Sequence, residues 1–98
     1  MELQKVTRDA AEAHIKAGGG AFFLMDHTGD TKTIWDPTRP EEVEVAQAQF
    51  DSLTNPPAGK TKYSAFRVGE DGEKSTVRMD TFDPKAGKII FAPLLVKG

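Results

Sequence analysis

The pentapeptide Ala21-Phe22-Phe23-Leu24-Met25 constrains this chain more than any other stretch. Side chains of an extended strand alternate between faces. Ala21, Phe23 and Met25 therefore line one side, and Phe22 and Leu24 the other. A strand that is apolar on both sides belongs in the middle of a sheet, covered above and below. Three glycines, 18–20, precede it. His27-Thr28-Gly29-Asp30 follows as a turn, and the β-branched run 31–35 returns the chain as a partner strand.

The remaining elements arrange themselves around that strand. Residues 2–6 alternate and predict a short strand. Thr7 can cap a helix over 8–17, where Ala10, Ala11, Ile15 and Ala17 recur without an internal Pro or Gly, and the glycines stop it. Asp36-Pro37 ends the return strand. Val43, Ala46, Phe50 and Leu53, spaced 3, 4 and 3, predict a second helix over 39–53. Thr38 and Glu41 form a capping-box pattern at its start, with Pro40 in the first turn. Two prolines and a glycine make 54–59 a loop. A meander follows: a strand over 62–68, a turn at Asp71-Gly72, a strand over 76–82 with Val77 and Met79 inward, a turn over 83–87, and a strand over 88–92.

The order β-α-β-β-α-β-β-β over 98 residues predicts one α+β domain, 1–98, with a mainly antiparallel sheet and both helices on one face. Phe22 or Phe23, Trp35, Phe50 and Phe66 are expected to share one core. Trp35-Asp36-Pro37 and Phe82-Asp83-Pro84 repeat the phrase aromatic-Asp-Pro. Each reads as a structural device: the Asp accepts from following backbone N–H groups and the Pro stops the strand. Pro93-Leu94-Leu95-Val96 either packs as an edge or projects as an apolar arm.

Several chemistries find no support. The chain has no Cys, which removes disulfides, thiolate metal sites and Cys nucleophiles. No apolar run approaches the roughly 20 residues of a membrane span, and no signal-peptide pattern opens the sequence. Gly59-Lys60-Thr61 imitates the end of a phosphate-binding loop, but Thr54 stands where the first Gly is needed and a strand follows instead of a helix. Residues 69–73 lack the acid spacing of a calcium loop. An RNA-recognition reading meets two obstacles. Tyr63 and Phe66 fall on opposite faces of a strand, and the net charge of −2 opposes phosphate. Asp26, His27 and Asp30 put an imidazole and two carboxylates in one turn, where a metal or a general base could be built; the same residue types also suit a hairpin turn.

Charge is unevenly distributed. Residues 1–56 carry 5 basic and 10 acidic side chains (net −5), and residues 57–98 carry 8 basic and 5 acidic ones (net +3). Such a chain could pair head to tail with its own copies.

Thr33-Ile34-Trp35-Asp36-Pro37, then Glu42-Val43 with Ala46 and Phe50, then Tyr63-Ser64-Ala65-Phe66-Arg67-Val68, then Phe82-Asp83-Pro84-Lys85-Ala86 before Ile89-Ile90, resembles small proteins encoded by tailed bacteriophages and prophages. The similarity spans residues 31–94 and consists of core and turn positions, with no catalytic motif. It implies a role in a virion, in assembly or in host interaction, located in the host cytoplasm or the virion. The expected function is non-enzymatic docking on other protein subunits, self or a larger assembly, with no cofactor. Leu3, Val6, Pro93, Leu94, Leu95 and Val96 are the expected contact residues, because terminal strands can add to a neighbour's sheet edge. The alternatives are a soluble phage regulator that binds a host protein, and a small nucleic-acid-binding or His27-based metal or enzymatic domain.

Overall fold

Each apolar face of the pentapeptide packs against a different helix, although Met25 at its end is 49% exposed. The computed structural model describes residues 3–26, 29–69 and 72–93, with side chains except at 26, 29–30 and 72–75. The elements run β1 (Gln4–Val6), α1 (Arg8–Lys16), β2 (Gly20–Asp26), β3 (Gly29–Trp35), α2 (Pro40–Thr54), β4 (Tyr63–Gly69), β5 (Gly72–Met79) and β6 (Lys88–Pro93). Among the described residues, six strands form one sheet in the order β1-β3-β2-β6-β4-β5. All pairs are antiparallel except β2 with β6. The fold is α+β, and β2 is interior, as its composition requires.

The helices do not share a face, contrary to the sequence expectation. Phe22 and Leu24 face a cluster that contains Ala46 and Phe50 of α2. Ala21 and Phe23 face Ala11 and Ile15 of α1. The reason is physical: with both helices on one side, Ala21 and Phe23 would stand in water. Thr7 starts α1 by accepting from Ala10 N. Gly18, at φ 97°, ends it in a conformation that suits glycine.

The α2 face holds the larger core. Trp35, Phe22, Phe50, Phe91 and Ile89 are its largest fully buried side chains. Rings meet in tilted and edge-on contacts: Phe22 to Trp35 at 4.6 Å, Trp35 to Phe82 at 5.3 Å, and Phe50 to Phe82 and Phe91 at 5.7 Å each. The stripe Val43, Ala46, Phe50 and Leu53 points into this core as predicted. Phe66 does not. Its register opposite Ile90 puts it on the α1 face, where it is half-buried, while Phe82 and Phe91 complete the main core.

The strand expected over 76–82 is displaced: β5 ends at Met79, and buried Phe82 is carried by the connection to β6. Val77, expected inward, is 63% exposed. It pairs with exposed Arg67 on the edge strand, beyond the cover of α2, whereas Met79 packs against the core. The capping box also fails. Arg39 is the N-cap and makes no side-chain capping bond; the Thr38 hydroxyl donates to Asp36 Oδ1 at 2.7 Å, and Glu42, not Glu41, reaches back to accept from Asp36 N.

The repeated aromatic-Asp-Pro phrase behaves as expected. Asp36 Oδ1 accepts from Thr38 N, and Asp83 Oδ1 from Lys85 N, both at 2.9 Å. The two copies also meet, since Trp35 Nε1–H donates to the Pro84 carbonyl.

Candidate functional site

A cleft of about 610 Å³ opens where β4 ends and β6 begins, beside the second half of α1. Its position follows from register. Val68 of β4 pairs with Lys88 of β6, and Lys88 in turn pairs with Ala21 of β2, over which α1 packs. The walls are Glu12, Ile15 and Lys16 from α1, Arg67 to Gly69 from β4, and Lys85 to Lys88. Four cations, Lys16, Arg67, Lys85 and Lys88, thus converge from three parts of a chain whose net charge is −2.

The cations differ in how firmly they are held. Lys88 is fixed: its Nζ lies 2.9 Å from Glu12 Oε1 and 4.6 Å above the centre of the Phe23 ring. The Arg67 guanidinium lies 3.9 Å from Asp83 Oδ2 and is half exposed, so that pair is loose and screened by solvent. Lys16, from α1, and Lys85, from the connection to β6, are exposed, and neither is ion-paired among the described residues. The C-terminus of α1 would repel an anion through its dipole. Three of its last carbonyls, those of Ala13, His14 and Ile15, are already occupied by the N–H groups of Ala17, Gly19 and Gly18. The lining holds no hydroxyl, thiol or imidazole. This arrangement can hold an anionic group over an apolar floor of Ile15, Val68 and Ala86.

The residues singled out in the sequence lie elsewhere. His27 is outside the described residues. Asp26 and Asp30 occupy successive rungs of the β2–β3 ladder, where Met25 pairs with Asp30 and Asp26 with Gly29. Among the described residues no group of three His, Asp or Glu could hold a metal ion. His14 is structural: its Nε2 donates to the Trp35 carbonyl at 2.7 Å, and a side chain at Gly19 would collide with its ring.

The proposed docking arms also change character. Leu3 is buried in the main core and Val6 packs in the α1 cluster, while their strand β1 stands at one edge of the sheet. Pro93 closes β6, which lies between β2 and β4; it is therefore not at a sheet edge. Leu94, Leu95 and Val96 lie outside the described residues. Among the described residues no helix is long and apolar enough to cross a membrane.

Sequence reasoning did not group Lys16, Arg67, Lys85 and Lys88. Its one signal was the basic excess after residue 57, which says nothing about convergence. No protein family, curated protein or solved structure matches the chain.

Proposed function

We propose that this is a non-enzymatic docking protein that binds other protein subunits, and that the basic cleft receives an acidic segment of the partner. The observation that carries this reading is the convergence of four cations on a cleft with an apolar floor. A cationic rim steers and orients an acidic segment, so the contact weakens as salt rises. The resemblance to small phage proteins supports a place in a virion or its assembly, where shape and surface suffice. Nucleic acid is the weaker ligand, because the lining holds no aromatic ring on which a base could stack.

Binding of a fluorescein-labelled oligo-glutamate peptide, followed by anisotropy, tests the reading. The peptide binds the unmodified protein and loses affinity at least tenfold when Lys16→Glu and Lys85→Glu are combined. A single-stranded oligonucleotide of equal charge binds more weakly. Tighter oligonucleotide binding, or peptide binding indifferent to the two substitutions, overturns it.

A further inference from the structure

The outward side of α2 complements the cleft. Glu41, Glu44, Ala48 and Asp51 are all exposed and are spaced 3, 4 and 3. That is the spacing of the buried stripe Val43, Ala46, Phe50 and Leu53, offset by two residues. At about 100° per residue this offset turns the acidic stripe roughly 200° away, directly toward solvent. No Lys or Arg interrupts the helix. Gln47 Nε2 donates to both Asp51 oxygens, at 3.1 and 3.2 Å, which holds that carboxylate in place.

We infer that the acidic segment received by the basic cleft is α2 of a second copy of this chain, so that copies stack head to tail. This rests on the docking reading above and names its partner. Three carboxylates on the stripe meet a cleft where four cations face Glu12 and the nearby Asp83. The two surfaces belong to different sides of the molecule: the cleft lies beside α1, and α2 covers the opposite face of the sheet. Because the stripe and the cleft are different surfaces, a stripe–cleft contact need not be reciprocated within a pair. Each copy offers one donor surface and one acceptor surface, so the contact is heterologous and propagates as an open stack or closes as a ring. α2 has 15 residues and is about 22 Å long at 1.5 Å per residue. A single helix laid in the cleft buries less than the roughly 1,200 Å² of a stable specific interface. Each contact is therefore weak and reversible, and carried largely by charge.

Sedimentation velocity of the full chain across a concentration series tests this. At about 0.01 M salt, where the Debye length is about 30 Å, the weight-average sedimentation coefficient rises with concentration; at about 1 M salt, where it is about 3 Å, the protein returns to monomer. Two neutralised variants separate the surfaces. Lys16→Gln/Lys85→Gln disables the cleft, and Glu41→Gln/Glu44→Gln/Asp51→Asn disables the stripe; all five positions are exposed, and Trp35 fluorescence confirms that each variant folds. Each variant alone stays monomeric. An equimolar mixture forms a dimer and stops there, because each copy retains one working surface. Growth of the mixture past dimer, association of either variant alone, or a mixture that remains monomeric overturns head-to-tail stacking. An unmodified chain that is monomeric throughout yet binds the oligo-glutamate peptide overturns the choice of partner and leaves the docking reading standing; failure of both removes the two together.

Discussion

Phe50→Ala tests the layering of the fold most directly. Phe50 is 1% exposed, lies on the inward stripe of α2, and touches the rings of Phe82 and Phe91. Truncation removes roughly 150 Å² of buried apolar surface, which at about 25 cal/mol per Å² is about 4 kcal/mol. The cavity left among rings that cannot easily close keeps the cost in the range of about 3–5 kcal/mol. For a domain whose total stability is about 5–15 kcal/mol this is a large fraction. Urea unfolding followed by the fluorescence of Trp35 measures it. Trp35 is the single tryptophan, is fully buried, and belongs to the same core. Phe66→Ala is the internal comparison: a half-buried ring on the other face, expected to cost about 1–2 kcal/mol. A loss below about 1 kcal/mol for Phe50→Ala, or equal losses for the two variants, would refute the separation of the two layers.

Two further outcomes follow from polar groups. Thr33 Oγ1 is buried without a hydrogen-bond partner, so Thr33→Val should stabilise the protein by about 1 kcal/mol, read as a rise in melting temperature of about 4–8 °C; a lower melting temperature would mean that the hydroxyl is satisfied. The Thr38 hydroxyl and then the Thr38 N–H, aided by Arg39, hold the Asp36 carboxyl below its ordinary value of 3.8. A depressed pKa stabilises the fold above that ordinary value and ceases to as pH falls through the folded one. The advantage of the unmodified protein over Asp36→Asn should therefore be present at neutral pH and shrink below about pH 4, measured as urea midpoints across pH. An advantage that grows on acidification would contradict the Thr38 interaction.

Elements and their periodicity were legible in the linear chain because their causes are local. Val43, Ala46, Phe50 and Leu53 carry a helical period, the alternation in 21–25 demands a two-sided strand, and Thr7 and Gly18 mark the ends of α1 with chemistry confined to a few neighbours. Even the acidic stripe of α2 is a matter of spacing on one helix. Strand order, by contrast, is not a local property. Phe66 and Phe50 both read as core, but which sheet face each occupies depends on register: Phe66 opposite Ile90, and Phe22 opposite Ile89. The same holds for Val77, inward by alternation yet exposed because β5 became an edge. The cleft depends on tertiary structure most of all. Lys16 and Lys88 are 72 residues apart, and nothing near either announces the other. They line one cleft because β6 pairs beside β2, under α1, a placement set by the burial of Ala21, Phe22, Ile89 and Phe91 and by no charge at all.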